Sequence, residues 1–262
     1  AKEAGIPMLS RAELLGQIMD NYKQSVAGAG THGKTTTTSM ISQILLCAAA
    51  DPTLSVGGIL DAIGGNIRVG HSDIFVTEAC EYTNSFLHFH PRYSIILDSA
   101  AEHLDFFKDI HDIRHSFHLF AKNTISDGAI IMNGQIERRE EITEGLSPEV
   151  ITYGLDPSYT YYASDITYNE KACAHFTVNK NGKELCKISL SVPCEHNLYN
   201  SLAAIAVTEK MGVSLEDFIH GLSIFGGAKR RFELKGKVNG VTIIDDYAHH
   251  PTESEATLRA AK

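Results

Sequence analysis

The sequence predicts an α/β protein built on a doubly wound, mostly parallel sheet that carries a P-loop, with a small antiparallel β subdomain. Two observations predict the parallel sheet. Short apolar segments alternate with helical patterns, and a glycine-rich loop at residues 28–35 separates one such segment from a helical pattern. A third observation predicts the antiparallel part, because segments rich in Tyr, Thr and Val follow one another at about 151–193.

The N-terminal part predicts a helix, a strand and a second helix in that order. The first helix is expected at 10–20, where Ser10 and Glu13 have the spacing of a capping box. The strand at 25–30 leads into the glycine-rich loop, and the second helix, at 34–49, follows the loop directly. This order places the loop between the carboxyl end of a strand and the amino end of a helix.

Three further apolar segments are expected to be buried parallel strands, because they are short and almost continuously hydrophobic. They lie at 73–79, 93–99 and 128–134. A helix at 109–123 separates the last two of these strands. In the antiparallel part, Asn181 and Gly182 indicate a tight hairpin turn. Two more helices are expected after it, at 197–212 and 214–225.

The last part of the chain predicts the start of a second α/β domain. Residues 226–233 resemble a linker, and 237–253 predict a hairpin, a buried strand and a loop that enters a helix at Pro251. We therefore expect a domain at 1–232 and the incomplete beginning of a Rossmann-like domain at 233–262. Because the chain starts without Met and ends abruptly, we expect it to be a piece of a longer protein.

Composition and charge exclude several classes of protein. The 262 residues carry a formal net charge of -9, which argues against a nucleic-acid-binding or membrane-surface protein, because both need a basic face. No apolar segment of the sequence has the length of a membrane span, and the five cysteines form no CxxC pair. We expect a cytoplasmic protein with reduced thiols.

Residues 28–35 match the complete P-loop pattern GxxxxGK[ST]. Such a loop wraps phosphate groups with backbone N–H groups, while Lys34 neutralises the phosphates and the Thr35 hydroxyl reaches Mg²⁺. The pattern alone leaves GTPases, motor ATPases, kinases and ligases open. The run of four threonines that begins at Thr35 favours hydroxyls near metal and phosphate, but the later three fit packing or bonds to the helix backbone equally well.

Six segments in a fixed order resemble the Mur ligase family of ATP-dependent amide ligases. The P-loop segment AGTHGKTTTTSM is followed by VTEACEYTNSFLHFHP, AEHLDFFKD, CEHNLYNSLAAIAV, KRRFE and DDYAHHPTE. The similarity extends over nearly the whole chain and is much more specific than the P-loop alone. It implies a central ATP-binding domain followed by the beginning of a C-terminal ligase domain.

The resemblance implies an enzyme that joins L-alanine to UDP-N-acetylmuramate in peptidoglycan precursor synthesis, using ATP and Mg²⁺. In this family a substrate carboxylate attacks the γ-phosphate to give an acyl phosphate, which the amine of the amino acid then attacks. Two alternatives stay open: a family member that attaches a preformed peptide to the same sugar, and a non-catalytic nucleotide-binding homologue. Because the family carries domains on both sides of this region, we expect the chain alone to bind Mg·ATP weakly and not to ligate.

The resemblance also assigns roles to individual residues. The implied catalytic residues are Lys34, Glu78, His103 and His249. The implied loop residues that bind nucleotide are Gly28, Gly30, Thr31, His32, Gly33, Lys34, Thr35 and Thr36. The implied Mg²⁺ ligands are Thr35, Glu78 and His103, with Glu81 as an outer neighbour. The remaining implied residues are Asn197 and Asn200 for adenine, Asp246 for ribose, and Tyr247 beside His249 at the reacting end. Arg231, with Arg230 beside it, is expected to bind phosphate, and solvated charges of a linker are the open alternative.

Two positions depart from the family pattern N-I-x-x-D-H-L-D. Asp98 stands where the pattern has an asparagine, and Glu102 stands where it has an aspartate. Near phosphate groups an additional carboxylate repels ATP unless it is paired or bound to metal. We therefore expect weaker nucleotide binding than the family pattern implies.

Overall fold

The computed structural model describes residues 2–100, 105–248 and 251–261. The strands in this part are β1 (Gln24–Ala29), β2 (Thr53–Leu60), β3 (Gly65–Arg68), β4 (Ile74–Glu78), β5 (Tyr93–Ile96), β6 (Ala129–Asn133), β7 (Glu149–Gly154), β8 (Tyr161–Tyr168), β9 (Cys173–Lys180), β10 (Lys183–Pro193), β11 (Glu233–Val238) and β12 (Val241–Asp245). The helices are α1 (Arg11–Met19), α2 (Lys34–Cys47), α3 (Ile110–Lys122), α4 (Glu140–Thr143), α5 (His196–Lys210), α6 (Leu215–Ser223) and α7 (Pro251–Ala261).

Ten strands form one sheet in the order β10-β9-β8-β7-β6-β5-β1-β4-β2-β3. All neighbouring strands from β2 through β4, β1, β5, β6 and β7 to β8 run parallel. This arrangement confirms the predicted doubly wound, mostly parallel sheet. Because β1 lies near the middle of the parallel part, the loop that follows it is flanked by the carboxyl ends of β4 and β5.

Helices cover both faces of the sheet, and each face has its own apolar core. Met40 of α2, Leu202 of α5 and Phe218 of α6 are fully buried on one face. On the other face, Met19 of α1 and Phe117 of α3 belong to a second core, which includes buried residues of β1, β5 and β6. The predicted capping box also forms, because Ser10 Oγ accepts a hydrogen bond from the Glu13 backbone N–H and the Glu13 side chain accepts one from Ser10.

The antiparallel region differs from the prediction in where it begins. The segment from Ile151 belongs to β7, which pairs parallel with both β6 and β8, so antiparallel pairing starts only between β8 and β9. Strands β8 to β10 extend the main sheet instead of forming a separate one. The direction of a strand depends on its partners, which the composition of the segment does not specify. The predicted turn is confirmed, since Asn181 and Gly182 have φ angles of 50° and 77° between β9 and β10.

The last described elements are a hairpin of β11 and β12 and the helix α7, which begins at Pro251 as predicted. The prediction of a buried strand here is wrong, because Val241 and Ile243 of β12 are 64% and 46% exposed. An apolar composition does not by itself show that a strand is covered. Among the described residues, no helix combines the length and apolarity needed to cross a membrane.

Candidate functional site

The P-loop connects the end of β1 at Ala29 to the start of α2 at Lys34. Gly30 and Gly33 have φ angles of 144° and 80°, which favour glycine. A Cβ atom at Gly30 would lie 2.9 Å from Asp98 Oδ1, and one at Gly33 would lie 2.6 Å from Asn200 Oδ1. The two glycines therefore allow both the turn and the close approach of two polar side chains to its backbone.

Lys34 is held over the loop by oxygen atoms. Its Nζ donates to the carbonyl oxygens of Gly30 and, at 3.2 Å, Thr31. It also forms an ion pair with the buried carboxylate of Glu81, at 3.0 Å from Oε2. The structure therefore places Glu81, which we expected in an outer role, in direct contact with the P-loop lysine. Its charge balances that of Lys34 where phosphate oxygens are expected.

Glu78 ends β4 directly beside the first turn of α2. Its Oε2 accepts a hydrogen bond of 3.2 Å from the Thr35 hydroxyl, and its Oε1 accepts one of 3.3 Å from Thr38 and another from the Gly57 N–H. A Cβ atom at Gly57 would lie 2.6 Å from both carboxylate oxygens, so this glycine makes room for the carboxylate. Thr35 and Glu78 thus offer oxygen atoms side by side, as a hard divalent cation requires.

Asp98 follows β5 and contacts the P-loop from the other side. Its Oδ1 and Oδ2 lie 3.1 and 3.3 Å from the backbone nitrogen of His32, which donates to the carboxylate. Burial raises the pKa of Asp98 to about 6, against the opposing effect of the His32 and Lys34 charges and the loop N–H groups. One P-loop amide is therefore bound to a carboxylate whose ionised form is poorly solvated.

The run of threonines has a structural explanation. Thr35 and Thr38 bind Glu78, while Thr38 Oγ1 also donates to the Lys34 carbonyl at 2.8 Å. Thr37 Oγ1 donates to Asn200 Oδ1 at 3.2 Å, and Thr36 lines a neighbouring cavity. Three of the four hydroxyls therefore connect α2 to neighbouring elements: two to the carboxylate that ends β4 and one to α5.

The neighbouring cavity has a volume of about 270 Å³ and lies between the P-loop, the amino end of α5 and the hairpin region. Its lining includes His32, Gly33, Thr36, Leu97, Tyr153, Asn197, Asn200, Phe225, Arg231 and Asp246. Many of the residues assigned from the resemblance to nucleotide binding therefore meet at one cavity. Gly28 and Thr31 lie nearby, Gly28 paired with Glu78 in the sheet and Thr31 Oγ1 donating to the Ala100 carbonyl at 3.4 Å.

Of the candidate residues near the hairpin of β11 and β12, some line the cavity and others do not. Asp246 accepts hydrogen bonds from the backbone N–H groups of Phe232, at 2.8 Å, and Ala248, at 2.7 Å. The guanidinium groups of Arg230 and Arg231 lie 4.9 and 5.6 Å from the centre of the Tyr247 ring. Arg231 lines the cavity, whereas the Arg230 side chain is 60% exposed and lies near Asp245.

Three predicted positions lie outside the described residues: Glu102, His103 and His249. Sequence reasoning missed the contact between Lys34 and Glu81 and the role of Gly57 in positioning Glu78. The Lys34–Glu81 contact had a weak sequence signal, because Glu81 is a further glutamate soon after Glu78 at the end of β4. Gly57 lies in β2, a strand that the sequence did not predict because two glycines interrupt its apolar pattern.

A glycine-rich loop between a central parallel strand and a helix that begins with lysine defines an α/β protein of the P-loop type. The profile of the Mur ligase middle domain matches residues 29–208, and that of the Mur ligase glutamate ligase domain matches residues 230–262. The chain therefore belongs to the Mur ligase family, and the resemblance predicted from its motifs is confirmed.

Individual relatives agree with this assignment. A protein of Agathobacter rectalis named UDP-N-acetylmuramate–L-alanine ligase is 65% identical over the whole chain, which spans 57% of that relative's length. The crystal structure of UDP-N-acetylmuramate-alanine ligase MurC from Thermotoga maritima is 30% identical with a TM-score of 0.85, covering 100% of this chain and 59% of the other. A murein peptide ligase from Psychrobacter arcticus is 29% identical with a TM-score of 0.80, covering 99% and 59%.

Proposed function

We propose that the chain forms the ATP-binding part of a ligase that joins L-alanine to UDP-N-acetylmuramate in the cytoplasm. The observation that carries the proposal is the meeting of Lys34, Thr35 and Glu78 where β1 and β4 end and α2 begins. This arrangement offers a cation and a helix N-terminus for the phosphates of a nucleoside triphosphate, together with a hydroxyl and a carboxylate for its Mg²⁺ ion.

Each group has a proposed task in this reaction. The loop N–H groups and the positive end of α2 hold the phosphates, and Lys34 neutralises the charge that develops on the transferred phosphoryl group. Mg²⁺, held by Thr35, Glu78 and His103, would supply further charge neutralisation between the phosphates. The cavity beside Asn197 and Asn200 accepts the base. His249 is proposed to face the substrate carboxylate.

The domain assignment follows the same logic. We propose that residues 1–232 bind the nucleotide and that residues 233–262 begin the part that covers it. The position of Asp246 on the cavity wall supports this division, because it brings a residue of the second part to the cavity that Asn197 and Asn200 of the first part also line. Asp246 accepts two backbone N–H groups, so it is fixed in place to bind ribose hydroxyls.

A ligase that attaches a preformed peptide to the same sugar is the second candidate. The likeness to the Psychrobacter arcticus murein peptide ligase, at a TM-score of 0.80, supports it. L-alanine is favoured as the substrate because the relative that is 65% identical carries that activity in its name. Both candidates need the same ATP site, so the site geometry does not separate them.

The two candidates are separated by a chimera in which this chain replaces its 262 matched residues in the Agathobacter rectalis relative. Phosphate release from ATP is measured with UDP-N-acetylmuramate and either L-alanine or a tripeptide. We expect release that depends on L-alanine and is abolished by Lys34→Ala, whereas Lys23→Ala, at an exposed lysine, leaves it intact. Release that depends on the tripeptide instead would favour the second candidate, and no release with either would contradict the proposal.

A further inference from the structure

A chain of hydrogen bonds connects the P-loop helix to the segment before α5. Thr37 Oγ1 donates to Asn200 Oδ1 at 3.2 Å, Asn200 Nδ2 donates to Asn197 Oδ1 at 3.1 Å, and Asn197 Nδ2 donates to the Pro193 carbonyl at 2.6 Å. The three side chains that form this relay are at most 6% exposed. Buried polar groups of this kind are costly to leave unpaired, so the relay holds its members in place.

The direction of every hydrogen bond in the relay follows from the Pro193 carbonyl, at which the relay ends. A carbonyl oxygen can only accept, so the Asn197 group facing Pro193 must be the NH₂ group. The Asn197 oxygen then faces Asn200, which must present its own NH₂ group there. The Asn200 oxygen is consequently the atom that faces Thr37, whose hydroxyl donates. An isolated asparagine amide can turn over, but here the orientation is determined.

This fixed orientation matters because Asn200 lines the cavity proposed to hold the base. An amide NH₂ group has two hydrogens and an amide oxygen has two lone pairs, and the relay uses one of each. Asn200 therefore keeps one donor and one acceptor. The amino group and the adjacent ring nitrogen of a 6-aminopurine complement such a pair, whereas a 6-oxopurine replaces the amino donor with a second acceptor.

We propose that Asn197 is a positioning residue that fixes the amide orientation of Asn200, and that this orientation makes the site select a 6-aminopurine nucleotide over a 6-oxopurine nucleotide. The inference rests on the proposed nucleotide binding and deepens it. In this inference Asn200 hydrogen-bonds to the base, and Asn197 holds the Asn200 amide in the required orientation. The Pro193 carbonyl determines the amide orientation of both asparagines.

The test compares the dissociation constants of ATP and ITP, which differ in the group at purine position 6, by isothermal titration in the presence of Mg²⁺. The chain is expected to prefer ATP by about tenfold or more. Asn197→Leu and the smaller Asn197→Ala remove the orienting oxygen, so the preference should fall towards unity. Asn197→Asp keeps an accepting oxygen towards Asn200 and should retain the preference, even if both nucleotides bind more weakly.

Ser201→Ala is the matched control, because Ser201 is a buried neighbour on the same helix whose hydroxyl donates to the Leu198 carbonyl outside the relay. It should leave the ratio of the two dissociation constants unchanged.

Thermal melts identify which of the two truncating variants is folded and suitable for the comparison. A folded Asn197→Ala or Asn197→Leu variant with the full preference for ATP would overturn the inference, as would equal binding of ATP and ITP by the unsubstituted chain. Binding of neither nucleotide would instead overturn the proposed function and this inference with it.

Discussion

At the scale of single residues, the P-loop is surrounded by carboxylates on two sides. Glu81 pairs with Lys34, and Asp98 accepts the backbone N–H of His32. The Lys34 side chain and the loop N–H groups are what a P-loop otherwise presents to phosphate. A bound nucleotide must therefore share Lys34 with Glu81 and compete with Asp98 for the loop. The charge of Asp98, a departure from the family pattern, bears directly on this competition.

Asp98→Asn is expected to stabilise the fold at about pH 8, because it keeps the shape and removes a charge that is costly to bury. The pKa of Asp98 is raised to about 6, so the native state holds this proton more tightly than the unfolded chain. The resulting loss of stability grows as the pH rises towards the native pKa and stays constant above it. The gain from the substitution should therefore be about 1–3 kcal/mol at pH 8 and shrink at about pH 5.

The measurement is thermal or urea unfolding of both proteins at the two pH values. Asp73→Asn, at a carboxylate whose side chain is 62% exposed, is the control and should show little change at either pH. A gain of equal size at both pH values, or none at the higher one, would contradict the role given to the Asp98 charge. The same substitution should also tighten Mg·ATP binding at about pH 8, since it removes a negative charge beside the phosphates.

At the scale of secondary structure elements, α2 carries four β-branched residues, Thr35 to Thr38, directly after its first residue, and such residues are mediocre helix formers. Their hydroxyl groups explain the choice, because they join the helix to Glu78 and to Asn200. The cost in helix propensity is thus offset by contacts that fix the first turn relative to β4 and α5. We expect these contacts to contribute to stability as well as to the site.

Thr37→Val tests this contribution, because it keeps the branched shape and removes the hydroxyl that donates to Asn200. We expect a loss of about 1–3 kcal/mol, since a buried amide oxygen loses a partner. Ser39→Ala is a matched comparison two residues further along the same helix. The Ser39 hydroxyl is buried and has no hydrogen-bond partner within the part of the chain that the structure describes. Its removal should be neutral or stabilising, and equal losses in the two variants would contradict the account.

At the scale of the whole molecule, the parallel strands and the P-loop could be predicted because their signals are local. Apolar runs, a glycine loop and capping residues lie within a few positions of one another. Strand β2, which pairs with β3, could not be predicted because two glycines interrupt its apolar pattern. The direction of β7 could not be predicted because it depends on which strands pair. The bond between Thr37 and Asn200 joins residues 163 positions apart, so no local pattern indicates it. The motif resemblance brought these residues together, but their mutual hydrogen bonds needed the structure.

The whole fold brings its elements together around the P-loop. The sheet places the ends of β1, β4 and β5 around the P-loop, while α5 and the segment before β11 close the neighbouring cavity. Within the described part of the chain, the candidate groups for phosphate, metal and base then lie along one edge of the sheet. The central claim is therefore that this edge binds Mg·ATP through Lys34.

The most direct test is the melting temperature of the 262-residue chain with ATP, with and without Mg²⁺. Ligand at about a hundredfold its dissociation constant stabilises the native state by about 2.7 kcal/mol, so Mg·ATP should raise the melting temperature by several degrees. Lys34→Ala should lose most of this increase, whereas Lys23→Ala, whose side chain is 82% exposed, should keep it. No increase with Mg·ATP, or the same increase in the Lys34→Ala protein, would contradict the account.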